Sequence, residues 1–243
     1  MQAEWEKLKR AIETGKRIVF LGGAGVSTES GIPDFRSEDG IFTAIKRYGH
    51  PPETLLSHEY FLSDTLTFYR YYRAMLLYPD AKPNAAHEAL AELERLGKLT
   101  AVVTQNIDGL HQKAGSKNVL ELHGSVYRNS CMACAKKYAL EDIIIADGVP
   151  KCTCGGIIKP DVVLYGEPLD DTVVDAAILN IRQADVLIVG GTSLMVYPAA
   201  SLTQYFHGDT LALINLSNTP MDGQADIVVH ARIGEVLGAC IGR

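Results

Sequence analysis

Hydrophobic positions along the chain form short, nearly continuous runs, separated by segments in which apolar residues recur every three or four positions. The runs are 17–21, 100–104 (TAVVT), 118–122 (NVLEL), 161–165 (DVVLY), 185–190 (DVLIVG), 210–215 (TLALIN) and 226–230 (DIVVH). Continuous apolarity is what a strand shows when both faces of its sheet are covered, so these runs predict a parallel sheet. Between them, Pro83-Asn84 opens a helical pattern of Ala86, Leu90, Leu93 and Leu96 that Gly97 closes, and a second pattern spans Leu169 to Asn180. Met1 to Arg10 reads as a charged amphipathic segment, with Trp5, Leu8 and Ile12 at helical spacing. The alternation predicts a doubly wound, Rossmann-like α/β fold whose ligands gather at the carboxyl ends of the strands.

Two segments break the alternation. Residues 37–79 are rich in Tyr, Phe and Leu with no strand signal, and residues 126–159 carry four of the five cysteines. They are expected to build a smaller lobe, one part helical and one part a zinc ribbon. The large part is then 1–36, 80–125 and 160–243 of a single catalytic domain.

Composition narrows the partners. A chain of 243 residues buries roughly 70–75% of the surface of its unfolded form, enough for one large core or a domain with a small lobe. Its 23 basic and 29 acidic residues give a net charge of −6, and no basic run exceeds Lys136-Lys137. That balance argues against direct nucleic-acid binding, which needs a concentrated positive face. There is no signal-peptide core at the start and no stretch that would span a membrane, so the expected address is cytoplasmic. In that compartment cysteines stay reduced, and paired Cys motifs point first to metal or redox chemistry.

Cys131-Met132-Ala133-Cys134, a 17-residue spacer and Cys152-Thr153-Cys154-Gly155-Gly156 have the pairwise layout of a zinc ribbon. The second pair is C-x-C, so flanking glycines must help bring its sulfurs to one ion. Four free or redox-active cysteines are the alternative. A closed four-sulfur site would be structural, not catalytic. Cys240 reads as a buried apolar residue.

Three strand ends nominate the chemistry. The first is Gly22-Gly23-Ala24-Gly25-Val26-Ser27-Thr28, whose glycines would let backbone N–H groups approach a phosphate while Ser27 or Thr28 adds a hydroxyl. Glycine in a strand-to-helix turn also has a purely conformational explanation. The loop continues into Ile32-Pro33-Asp34-Phe35-Arg36, which brings an aromatic ring, a carboxylate and a guanidinium. The second end is Thr104-Gln105-Asn106-Ile107-Asp108-Gly109. A capped turn explains Asp108 and Gly109, but not adjacent amides directly after an apolar strand, which suit ribose hydroxyls or a water. The third is Glu121-Leu122-His123-Gly124-Ser125. A lone histidine is often structural, yet an imidazole at this sheet edge could take a proton at cellular pH.

Taken jointly, "GAGVSTESGIPDFR", "TQNIDGLH", "LELHGS", the two cysteine pairs and "GGTSLMVYPAA" resemble the sirtuin family of NAD-dependent protein deacylases, over about residues 12 to 238 and in the family's order. The resemblance implies that Ala24, Thr28, Asp34, Phe35 and Arg36 enclose NAD, and that Gln105, Asn106, Ile107 and Asp108 line its ribose and nicotinamide. It implies that Thr192, Ser193 and Asn215 hold the adenosine half, with Ile233 closing over the adenine. His123 matches the catalytic base, with Asn106 beside it as a second catalytic group. One structural Zn2+ on Cys131, Cys134, Cys152 and Cys154 is implied as well. NAD is then a co-substrate, consumed to give deacylated lysine, nicotinamide and acyl-ADP-ribose.

Two segments resemble the family edges between which a substrate peptide adds a strand. They are Val163, Leu164, Tyr165 and Gly166, and the stretch around Val196. Relatives that favour acidic acyl groups carry Tyr-x-x-Arg in the small lobe. The helix here reads Phe68-Tyr69-Arg70-Tyr71-Tyr72-Arg73, with no such pair, so acetyl or other uncharged acyl groups are expected. The Tyr-rich run also suits simple packing. The implied partners are acetylated-lysine proteins or peptides, and a monomer suffices. A nicotinamide-dependent dehydrogenase would show G-x-G-x-x-G and a distal acidic residue. A zinc-ribbon binding module would leave His123 idle, and an ADP-ribosyltransferase would differ only in the acceptor.

Overall fold

The computed structural model describes residues 2–34, 37–195 and 197–241. Among the described residues, nine strands form two sheets: β1 (Ile18–Gly22), β2 (Leu99–Thr104), β3 (Val119–Glu121), β4 (Gly124–Cys131), β5 (Lys137–Tyr138), β6 (Ile158–Val162), β7 (Val186–Gly190), β8 (Thr210–Ile214) and β9 (Ile227–Val229). The first sheet is wholly parallel, in the order β3-β2-β1-β7-β8-β9, and the second is antiparallel, β5-β4-β6. The helices are α1 (Gln2–Thr14), α2 (Glu38–Tyr48), α3 (Pro52–Leu55), α4 (His58–Ser63), α5 (Thr65–Met75), α6 (Ala85–Arg95), α7 (Leu110–Ala114), α8 (Leu140–Ile145), α9 (Asp171–Gln183) and α10 (Ile233–Cys240). No helix among the described residues is long and apolar enough to cross a membrane.

The parallel sheet is covered on both faces because its central strands are apolar at nearly every position. On β1, Ile18 and Phe20 join one core with Leu8 and Ile12 of α1, Leu90 and Leu93 of α6, and Leu237 of α10. Val19 and Leu21 point the other way, into a core with Ala177 and Ile181 of α9. The side-chain period of two splits each buried strand between these cores. The strand order reverses between β1 and β7, which puts the topological switch point of the sheet there, where open α/β sheets bind their ligands.

Six of the seven expected strands lie in the parallel sheet, but the run at 161–165 does not. Its first two residues end β6, which pairs antiparallel with β4. The rest leaves the sheet and is tied elsewhere: Val163 N–H donates to the His123 carbonyl at 3.0 Å, Tyr165 N–H to Leu56 at 3.0 Å, and His58 N–H to Tyr165 at 2.9 Å. Apolar composition could not separate this link from a core strand, although only Leu164 of it is buried and Tyr165 is exposed. Residues 37–79 are mostly helical, and most of their aromatic side chains share one core with β4, β6 and α8. Phe61, Phe68, Tyr69 and Tyr72 pack ring to ring at centroid distances of 4.9 to 6.2 Å, each such pair contributing about 0.5–1.5 kcal/mol beyond area burial.

Candidate active site

The loop after β1 is two consecutive 3-10 turns, Ala24–Val26 and Thr28–Ser30. It docks on the end of β7: Gly25 N–H donates to the Gly191 carbonyl at 2.8 Å and Gly23 N–H to Gly190 at 3.3 Å. A Cβ on Gly25 would stand 2.7 Å from Gly191 Cα, so the close approach requires glycine there. The amides of Gly23 and Gly25 are thus spent on holding the loop to the sheet and are not turned to a phosphate, a correction to the sequence expectation. From outside, Asn84 Nδ2 donates to the Val26 carbonyl (2.8 Å) and the Ser30 hydroxyl (2.9 Å), and Gly234 N–H at the start of α10 donates to Glu29 at 2.9 Å.

The two hydroxyls of the loop divide. Thr28 is exposed and its hydroxyl donates to the Gly25 carbonyl at 2.9 Å, so it does not line the cavity described below. Ser27 is buried and faces inward: its Oγ donates to Asp108 Oδ2 at 2.7 Å and accepts from Asn106 Nδ2 at 3.0 Å. The other Asp108 oxygen accepts the Leu110 N–H at 2.9 Å. A cap therefore explains half of Asp108, and the remaining half binds the first strand end to the second. Gln105 Nε2 donates to Thr192 Oγ1 at 3.1 Å, while its Oε1 is buried without a partner among the described residues.

His123 stands between β3 and β4, with Nδ1 2.9 Å from the Gln105 carbonyl oxygen. A carbonyl only accepts, so in the neutral ring Nδ1 carries the proton and the basic lone pair is on Nε2. The His123 carbonyl accepts Val163 N–H, tying the backbone that carries the imidazole to the adjoining chain segment.

These groups surround a cavity of about 250 Å³ at the switch point. Ala24, Gln105, Asn106, Ile107, Asp108 and His123 line it, as does the whole segment Val163, Leu164, Tyr165 and Gly166. Thr192 reaches the cavity only through Gln105. Ser193 is exposed after β7, and Asn215 follows β8 with its Nδ2 on the Ser217 carbonyl at 3.1 Å. Both sit on the sheet edge that carries the cavity without lining it. Ile233 is buried in the core with Phe20, Ile188 and Ile214, so its side chain does not stand over a ligand surface, which corrects that expectation. Asp34 accepts the Ser37 N–H on its backbone carbonyl at 2.9 Å and is outside the cavity wall. Phe35, Arg36 and Val196 lie outside the described residues.

The sequence did not nominate Glu167, Tyr72, Met75 or Leu76, which also line the cavity. The last three stand at i, i+3 and i+4 of a helical stripe, the one signal available for them. Glu167 accepts from Leu164 N–H (2.9 Å), Lys159 Nζ (3.0 Å) and His58 Nδ1 (2.7 Å). Burial pushes its carboxyl up, but these three donors outweigh it and hold the group below the usual carboxylate range.

Away from the cavity, the four thiols of Cys131, Cys134, Cys152 and Cys154 lie within 4.8 Å of one another, with near pairs at 3.5 and 3.6 Å. A tetrahedral zinc with bonds of about 2.3 Å needs sulfurs roughly 3.8 Å apart, so the donor set fits one Zn2+. Gly156 is required beside it, since a Cβ there would come 2.7 Å from Cys131 Sγ. The N–H groups of Ala133 and Cys154 point at Cys131 and Cys152 sulfurs at 3.4 and 3.5 Å, the outer support that thiolate ligands need.

Residues 23–198 match the Sir2 family. A Clostridium perfringens (strain 13 / Type A) protein named NAD-dependent protein deacetylase is 58% identical over 243 residues, covering 99% of this chain and 100% of the relative. A solved Sir2 homolog–NAD complex superposes with a TM-score of 0.88 at 41% identity, covering 97% of this chain and 92% of that one. A solved Sir2 variant with a deacetylated p53 peptide and 3'-O-acetyl ADP ribose gives 0.86 at 40% identity, covering 96% and 95%. With the family matched over residues 23–198 and a relative 58% identical across nearly the whole chain, the chain belongs to the Sir2 family.

Proposed function

We propose that this chain is an NAD-dependent protein-lysine deacetylase, releasing deacetylated lysine, nicotinamide and O-acetyl-ADP-ribose, with His123 as its base. The observation that carries this reading is the placement of His123: its Nδ1 is held by the Gln105 carbonyl and its own carbonyl by Val163, at the junction of the amide-rich strand end and the peptide edge. The reading is supported by relatives that carry the activity in their names across the full chain.

The cavity residues fit NAD. Gln105 Oε1 is a buried acceptor with no partner among the described residues, and Ser27, Asn106 and Asp108 form a polar cluster on an otherwise largely apolar wall. We assign Ala24, Asp34, Phe35, Arg36, Gln105, Ile107 and Asp108 to the ribose and nicotinamide side. Thr28 joins Ala24 in the loop that encloses NAD, while Thr192, Ser193 and Asn215, on the sheet edge, take the adenosine side, and Ile233 supports that edge from the core. NAD supplies the ribose carbon that loses nicotinamide and the hydroxyl that receives the acetyl group.

His123 Nε2 takes the hydroxyl proton, a role worth about 10²–10⁴-fold in rate. Asn106, whose amide nitrogen is committed to Ser27, offers its carbonyl oxygen to a hydroxyl or water. Ile107, Val162 and Leu164 give the cavity an apolar stretch of wall against which the acyl-lysine chain can lie away from water. The substrate peptide adds as a strand between 163–166 and the stretch around Val196, so its backbone supplies affinity and the acyl pocket selectivity. The zinc is structural: four sulfurs close it to substrate. The large part (1–36, 80–125, 160–243) brings the NAD side and the small lobe (37–79, 126–159) the acyl wall, in one copy acting as a cytoplasmic monomer.

The test is mass spectrometry of an acetyl-lysine peptide with and without NAD, following peptide, nicotinamide and acetyl-ADP-ribose together. Deacetylation with equal nicotinamide release, and only with NAD, is the expected result. Nicotinamide release without deacetylation would sink the proposal in favour of ADP-ribose transfer.

A further inference from the structure

Three titratable side chains beside the cavity have no part in the chemistry above. His58 at the start of α4, Lys159 on β6 and Glu167 meet on one carboxylate. Glu167 Oε1 accepts from His58 Nδ1 at 2.7 Å, and Oε2 accepts from Lys159 Nζ at 3.0 Å and from the Leu164 N–H at 2.9 Å. Lys159 Nζ also donates to the Pro160 and Val162 carbonyls, at 3.2 and 3.0 Å. In the division proposed above, His58 and Lys159 belong to the two segments of the small lobe and Glu167 to the large part.

What the cluster grips is the segment 163–166. Leu164 is held at both its polar groups, the N–H by the Glu167 carboxylate and the carbonyl by the Glu167 N–H at 2.9 Å. Tyr165 is paired along one flank with the chain before α4: its N–H donates to the Leu56 carbonyl at 3.0 Å, its carbonyl accepts the His58 N–H at 2.9 Å, and it forms a parallel bridge with Ser57. His58 therefore grips twice, through its backbone on Tyr165 and through its ring on Glu167. A carboxylate only accepts, so His58 Nδ1 carries the proton in this bond. The His58 side chain is 42% exposed, so its ring supplies a bond more than it supplies packing. Lys159 and Glu167 are largely buried, which spares their pair the screening that weakens surface ion pairs.

We propose that Glu167, with His58 and Lys159, positions the 163–166 edge for the incoming peptide, so that this cluster sets affinity for the substrate backbone and not the rate of the bond-making steps. The inference rests on the deacetylase reading above. A peptide added as a strand is held by main-chain bonds, and binding is weakened by whatever ordering the edge must undergo on arrival. The clasp orders the edge beforehand. Gln105 and Asp108, assigned to NAD, make their hydrogen bonds to Thr192, Ser27 and the Leu110 N–H instead.

The experiment measures kcat and KM for an acetyl-lysine peptide, and NAD affinity by calorimetry, in the wild type, His58→Ala, His58→Asn and Glu167→Ala. His58→Ala should raise the peptide KM by about three- to tenfold, one charge-assisted hydrogen bond at a part-exposed site. The loss should fall on KM and not on kcat, with NAD affinity unmoved. An Asn side chain carries its amide nitrogen as many bonds from the backbone as Nδ1, so His58→Asn should recover most of the loss. Glu167→Ala should raise the peptide KM further, and adding His58→Ala to it should change nothing more, because the two act as one unit. A His58→Ala enzyme with the wild-type peptide KM overturns the inference and leaves the deacetylase reading intact. So does a loss that His58→Asn fails to recover, or one that NAD affinity shares. A wild type with no NAD-dependent turnover overturns both. If Glu167→Ala does not fold, the two His58 variants decide.

Discussion

Ser27 and Asp108, 81 residues apart in the chain, meet through a 2.7 Å hydrogen bond, and the same serine accepts from Asn106 at 3.0 Å. This contact joins the loop after β1 to the turn after β2 at the mouth of the cavity. It also turns Asn106 and Asp108, neighbours in sequence, into one oriented unit.

Replacing Ser27 by Ala removes the donor from Asp108 Oδ2 and the acceptor from Asn106 Nδ2 together. We expect a stability loss of about 1–3 kcal/mol, the usual cost of stranding part-buried polar groups. KM for NAD should rise by roughly tenfold, about 1.4 kcal/mol of lost cofactor binding. Urea unfolding and initial rates at varied NAD measure both. Wild-type stability and KM would show that the cluster does not organise the site.

His123→Ala should cut kcat by roughly 10²–10⁴-fold, the range for a positioned acid or base. NAD affinity, measured by calorimetry, should stay near the wild-type value, since the polar groups assigned to NAD come from other strand ends. A mutant that loses NAD binding in step with turnover would make His123 a binding residue instead of a base.

Stripping zinc with a chelator should lower activity and the order of the cysteine-bearing lobe together, because Cys131 and Cys152 belong to the same buried core as Tyr69 and Tyr72. A structural site of this type carries about 10–16 kcal/mol of apparent binding energy, far above the margin of a small lobe. Loss of near-ultraviolet circular dichroism should track zinc release and return on adding Zn2+. Metal-free protein with full dichroism and full turnover would refute the structural role.

Much of this was legible in the chain. Continuous apolar strands gave the covered parallel sheet, and the cysteine spacing gave a cluster whose sulfurs converge. What escaped was the use made of each group. The loop glycines looked like a phosphate cradle, but their N–H groups dock on Gly190 and Gly191, a partner that only the sheet order supplies. Ser27 and Thr28 are equivalent hydroxyls in sequence, and the handedness of a 3-10 turn buries one and exposes the other. The run at 161–165 has strand composition throughout, yet beyond Val162 its partners are a helix end and a histidine carbonyl. Tyr72, which lines the cavity, was hidden in an aromatic run whose other members do not.

A last consequence concerns acid. His87 and His111 lie side by side beneath the turn that carries Asp108, with ring centroids 4.7 Å apart, and both nitrogens of His111 are buried without a partner among the described residues. Burial pushes His87 down to about 4, with Asp108 opposing the shift, and burial together with His87 pushes His111 well below its ordinary value. Both folded values lie below the unfolded value of about 6.5, so at intermediate pH the unfolded chain binds more protons than the native one. The stability they contribute is therefore complete above about pH 6.5 and is lost as pH falls toward 4 and beyond. Each site adds a slope of up to about 1.4 kcal/mol per pH unit in that window. Urea unfolding between pH 7.5 and about 5.5 should show this slope, at pH values above the range in which most ordinary carboxylates titrate. His111→Phe, which sits beside Phe20 and cannot take a proton, should flatten it by about half. An unchanged slope in that variant would mean that His111 is not held neutral in the core, and that the acid sensitivity of the fold comes from its carboxylates.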